Sequence, residues 1–121
     1  MNLLAIAIGA ILGAWLRWGF GLLFNPLFPT LPLGTLFVNV LGGFLMGGIV
    51  GLSKTFFPPV LQLAIVTGFL GSFTTFSTFS AETIHLFVNE SYLWGSIAIF
   101  AHVGGALLAT VLGMYTVRLL T

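Results

Sequence analysis

Apolar residues fill four long stretches of the chain, and polar ones gather at the joints between them. The stretches cover about residues 3–24, 33–52, 60–88 and 93–120. None shows the strict alternation of a half-buried strand or the polar face of a surface helix. A helix that is apolar all round sits in lipid or deep in protein, and about 20 residues cross a bilayer core. The pattern predicts an all-α membrane protein of four transmembrane helices, with residues 1–121 forming one domain. The joint from Asn25 to Pro32 holds Pro26, Pro29 and Pro32 and no charge, which predicts a stiff extended loop. Lys54 with Pro58 and Pro59 marks the second joint, and Asn89 to Tyr92 marks the third.

Polar and small residues inside the stretches carry the finer information. In the first, Gly9 and Gly13 form a small-xxx-small face that admits another helix closely. Arg17 lies between Trp15 and Trp18 and reads locally as an interfacial anchor, with an electropositive mouth as the alternative. In the second, Asn39, Gly43, Gly47 and Gly51 share one face, so that face packs on protein. Asn39 either hydrogen-bonds a neighbouring helix or turns its amide donor toward a pathway. In the fourth, His102, Ala106 and Thr110 share a face, and His102 reads as an interhelical histidine. Glu82 and His85, near the end of the third stretch, read as an i,i+3 pair close to water.

The third stretch is too long for a straight span: at about 1.5 Å per residue it reaches about 43 Å against a core of about 30 Å. Its middle, Gly68 to Ser80, holds six hydroxyl residues, two glycines and four phenylalanines. Lipid tolerates no loose polar groups, so this segment must face protein or a wet cavity. We read it as a helix broken at the membrane midplane. The first half ends near Gly71, where free carbonyls suit a small hard cation. The second half starts between Ser72 and Thr75, where a hydroxyl can cap it. Along that half Phe76, Phe79, Ser80 and Thr83 make one stripe. Hydroxyls donate hydrogen bonds, and phenyl rings carry positive edges, so the stripe suits a small anion.

Composition narrows the classes. The chain is 59% hydrophobic and 4% charged, against about 25% charged in soluble domains. A net charge of +1 excludes nucleic acid as a partner, and the absence of cysteine excludes disulfides and thiolate chemistry. No nucleophile–base pair or metal-ligand cluster appears, so an enzyme is not expected. Residues 1–5 lack a basic n-region, and Met1 is taken as the start of the mature chain. Four helices enclose too little for a pore alone, which favours an oligomer. Lys54 and Arg118 fall on one side of the membrane and Arg17 on the other, almost no bias by the positive-inside rule. The chain is therefore free to insert either way up, and if it does, an antiparallel, dual-topology homodimer becomes available.

Gly71-Ser-Phe-Thr-Thr-Phe-Ser-Thr-Phe-Ser80 resembles the signature of the CrcB/Fluc fluoride channels. Gly9, Gly13 and Arg17, and Asn39 followed by Gly43, resemble that family's first and second helix motifs. The resemblance implies an antiparallel dimer in the cell inner membrane, with two fluoride pathways and a central structural sodium ion. It assigns Phe76 and Phe79 as ring edges along the path, with Asn39 as the amide donor beside them. Ser80, Thr75 and Thr78 join them, and the carbonyls of Gly71 and Thr74 bind sodium. Arg17 moves to the vestibule. Thr110 fits the family's polar track on the fourth helix, whereas Ala106 stands where a serine is expected. The rivals are a small proton-coupled multidrug exporter, which needs an embedded carboxylate, and a structural membrane subunit without transport.

Overall fold

A computed structural model describes residues 1–121, and the chain is helical apart from its joints and residues 74–75. Four stretches are long and apolar enough to cross a membrane: Asn2–Leu27, Leu33–Gly51, Pro59–Val88 and Tyr92–Leu120. We label the helices α1 (Asn2–Phe24), α2 (Leu33–Gly51), α3 (59–73), α4 (Phe76–Val88) and α5 (Tyr92–Leu120). The sequence-based boundaries agree to within about two residues. The proline joint differs from expectation at its start. Asn25–Leu27 continues α1 as one 3₁₀ turn, because Pro26 occupies an opening position where its missing N–H costs nothing. The side-chain oxygen of Asn25 then accepts from the Thr35 N–H at 3.1 Å, tying the joint to the first turn of α2.

Small residues hold the helices together. Gly9 and Gly13 of α1 lie directly on the backbone of α3 at Ala64 and Phe69, and Gly68 of α3 lies on Ile6 and Gly9 in return. Gly43, Gly47 and Gly51 of α2 rest on the backbone of α5 at Ala106, Thr110 and Met114, and Gly113 rests on Phe44. In lipid there is no hydrophobic drive between helices, so backbone approach and van der Waals contact replace it. Accordingly few side chains are buried: Val38 and Phe73 are the large ones with almost no exposure. Trp15, Trp18, Leu107 and many other apolar side chains face outward.

Two segments are wound more widely than an α-helix, Leu63–Leu70 in α3 and Phe100–Gly104 in α5. Such π-turns are rare and gather at functional sites. Here one precedes the end of α3 and the other carries His102.

Filling Gly47 is expected to separate α2 from α5. A Cβ there would overlap the Thr110 carbonyl, whereas one at Gly19 meets nothing within 4 Å. Gly47→Val should cost about 1–3 kcal/mol of stability or more, as overpacking does. Thermal melts in detergent should show a lowered transition for Gly47→Val and none for Gly19→Ala.

Candidate functional site

The helical ladder stops at Phe73 and resumes at Phe76. Thr74 (φ −83°, ψ 157°) and Thr75 (φ −147°, ψ 109°) are extended. The stop comes later than the expected end near Gly71. Thr74 still follows the helical pattern, with its N–H 3.1 Å and its Oγ1 2.9 Å from the Leu70 carbonyl. What ends the ladder is Asn39. Its Oδ1 accepts the Thr75 N–H at 2.7 Å, and its Nδ2 donates to the Thr75 carbonyl at 3.0 Å. One amide side chain thus pairs with one peptide residue as a neighbouring strand would. Both polar groups that leave the ladder at Thr75 are satisfied without water.

Thr75 then opens α4. Its Oγ1 accepts the Thr78 N–H at 3.1 Å, a side-chain N-cap as the sequence predicts, and donates to Thr78 Oγ1 at 3.0 Å. On the α3 side, Arg17 Nε donates to the Ser72 carbonyl at 3.0 Å. Arg17 is half-buried and turned into the protein, while Trp15 and Trp18 face outward. The cation sits at the negative end of the α3 dipole, where it is favoured.

Two cavities flank this junction. The first, about 410 Å³, is lined by Asn39, Gly71, Thr74, Thr75, Phe76, Phe79, His102, Ala106 and Thr110, among others. The second, about 260 Å³, is lined by Arg17, Asn25, Thr35, Thr75 and Thr78 together with Trp18, Gly21 and Leu22. Thr75 lines both, so the clamped residue is the wall between them. Phe76 and Phe79 meet edge to face, with centroids 5.5 Å apart and planes at 72°. Phe79 is buried, but Phe76 is 76% exposed on the protomer.

Most residues singled out from the sequence therefore converge. Asn39, Thr75, Phe76, Phe79 and Thr110 reach the first cavity, with Gly71 and Thr74 at its edge. Arg17 and Thr78 reach the second. Ser80 and Thr83 line neither, and the Thr83 hydroxyl is buried without a partner. Thr110 donates its hydroxyl hydrogen back to the Ala106 carbonyl at 2.8 Å. His102 sits closer to the centre than expected: Nδ1 is 2.9 Å from Asn39 Nδ2, and its ring stacks on Phe79 at 4.5 Å. Its shared face with Ala106 and Thr110 was the available signal. Thr35, a lining residue of the second cavity, carried no sequence signal of its own. Glu82 stays near the end of its span. As expected from that place, it lines a cavity with His85 among the joint residues Pro29, Thr30, Asn89 and Ser91, although its two carboxylate oxygens are themselves covered.

Replacing Asn39 by Leu leaves the Thr75 N–H and carbonyl unpaired, and each such group costs about 1–3 kcal/mol. Thr75→Val keeps the clamp and removes the cap, about 1 kcal/mol, with the partly buried hydroxyl bond to Thr78. Thermal unfolding should therefore rank wild type above Thr75→Val, and Thr75→Val above Asn39→Leu. A reversed order would contradict the clamp.

The family model described as "CrcB-like protein, Camphor Resistance (CrcB)" matches residues 4–114. A protein of Nitrosospira multiformis named "Fluoride-specific ion channel FluC" is 53% identical over 118 residues, covering 96% of this chain and 92% of its own. Relatives of the same name from Tolumonas auensis and Ralstonia nicotianae are 50% and 49% identical. Each alignment covers at least 98% of this chain and 95% of the relative.

Proposed function

The chain belongs to the CrcB-like protein family, and we infer that it is a fluoride-specific ion channel, a multi-pass protein of the bacterial plasma membrane. It is a transport protein and not an enzyme. The observation that best supports a site for conduction is the pair of cavities meeting at Thr75 inside a chain with an apolar exterior. An anion of carboxylate size costs on the order of 20 kcal/mol to bury in a medium of low dielectric, and a smaller one costs more. Convergent donors must offset that. Along the path the Thr78 hydroxyl and the ring edges of Phe76 and Phe79 are free to supply them, while the hydroxyls of Thr75 and Thr110 and the Asn39 amide line the same path with their hydrogens engaged on the protomer by Thr78, Ala106, Thr75 and His102. Ser80 and Thr83 extend the same stripe of α4. Arg17 adds positive potential at the second cavity, and a narrow path excludes chloride by size.

The pathway takes a second copy of the chain, inverted in the membrane. Phe76 is exposed on one protomer, and a ring that lines a path has to be covered. The near-even split of Lys54 and Arg118 against Arg17 allows both orientations. In an antiparallel homodimer the interruption of the third span lies at the midplane of each protomer, and symmetry gives two pathways. The carbonyls of Gly71 and Thr74 then hold a sodium ion on the two-fold axis. Their oxygens are the hard donors such a cation takes, and no hydrogen bond from outside the helical ladders reaches them. A Cβ at Gly71 would meet the Val66 carbonyl at an ordinary contact of 3.7 Å. When bound, the ion supplies fixed positive charge between the two pathways.

Fluoride efflux from proteoliposomes, followed by electrode with chloride as control, tests the channel. Wild type should release fluoride and retain chloride, and Phe76→Ile should lose most of the rate. No fluoride release from folded protein would remove the channel reading and leave the structural subunit. Reporter fusions at the C-terminus should report both orientations; a single orientation would sink the antiparallel dimer.

A further inference from the structure

The hydrogen-bond pattern around Asn39 fixes more than the backbone. A backbone N–H can only donate and a carbonyl can only accept, so Thr75 determines which way the Asn39 amide points. Oδ1 faces the N–H, and Nδ2 faces the carbonyl. The second hydrogen of Nδ2 then points at His102 Nδ1, 2.9 Å away. Nδ1 must accept it. The imidazole is thereby neutral, with its proton on Nε2, which makes no hydrogen bond within the protomer.

We propose that His102 is a positioning residue for the pathway: it accepts the outer amide hydrogen of Asn39 and so locks the amide onto Thr75. This rests on the fluoride-channel reading and deepens it. An asparagine held only by Thr75 could rotate about its own side-chain bonds, and the wall between the two cavities would loosen with it. His102 removes that freedom from two sides. Its Nδ1 holds the amide, and its ring lies flat on Phe79, with planes 29° apart. It is 4% exposed and sits in the widened turn Phe100–Gly104, which brings it against α2 and α4 together. No other titratable side chain lines the first cavity. The same two contacts make the ring's proton state matter. A proton added at Nδ1 would set one donor against another and release Asn39 from its clamp.

The test separates ring from acceptor. Phe at 102 keeps an aromatic ring to stack but offers no acceptor. Asn at 102 places Oδ1 two bonds from Cβ, as Nδ1 is in histidine, and restores the acceptor without the ring. Fluoride efflux through His102→Phe should fall about tenfold or more, the scale of one lost buried hydrogen bond, and His102→Asn should recover most of the rate. Efflux through His102→Phe at the wild-type rate, or His102→Asn no better than His102→Phe, overturns the proposal. Nitrogen NMR on histidine-labelled protein in bilayers, with His85→Gln to remove the second histidine, gives an independent reading. It should find Nδ1 unprotonated and Nε2 protonated. The opposite tautomer overturns the proposal even if neither position-102 variant folds. Failure of the wild type to move fluoride would count against the channel reading, while the tautomer would still test how His102 holds Asn39.

Discussion

A peptide group that leaves a helix inside lipid has nowhere to turn except another part of the protein. The junction at Thr74 and Thr75 exists on that condition, and Asn39 meets it. One side chain supplies both an acceptor and a donor to Thr75, at 2.7 and 3.0 Å. Arg17 meets the same condition for the Ser72 carbonyl, and the Thr75 hydroxyl meets it for the Thr78 N–H. Remove these partners and the cheapest course for the chain is to continue the helix through the site.

That constraint accounts for the company the junction keeps. Asn39 reaches Thr75 only if α2 lies close to the third span, and Arg17 reaches Ser72 only if α1 does. Glycines at both contacts permit the approach: Gly9 and Gly13 on α1, Gly42 of α2 beside the Thr74 side chain, and Gly43 and Gly47 toward α5. The rings of Phe20, Phe37 and Phe73 meet edge to face at 4.9 and 6.1 Å and wedge the same region from the apolar side. The polar side chains at the junction are thus few, and Arg17, Asn39 and Thr75 are each fixed by backbone, while the exterior is left to lipid and to other protein.

The four spans were legible because an apolar run of the right length has few alternatives. The capping role of Thr75 was legible too, since a hydroxyl ahead of a helical stripe has a known partner in the third N–H. The end of α3 was misplaced at Gly71 because glycine marks where a helix can stop. Where it does stop is set by Asn39, 36 residues away. Asn39 itself was ambiguous between a structural bond and a pathway donor. On the protomer both amide hydrogens are engaged, by Thr75 and by His102.

The widened turns separate two properties that a regular helix ties together. In an α-helix the number of residues between two positions dictates the angle between their side chains. A π-turn adds a residue to the turn and so resets that angle, by about 100° per residue of α winding. In α5 the turn at Phe100–Gly104 lies between the end that packs on α4 and the face that rests on α2. The loss of one residue there would leave the helix shorter by about 1.5 Å yet turn Thr110 away from Gly43 and Gly47. For this chain, an altered reading length in that turn is a graver change than most substitutions. Single-residue insertions and deletions would be absorbed most readily in the exposed joint around Lys54, which places no side chain at the junction.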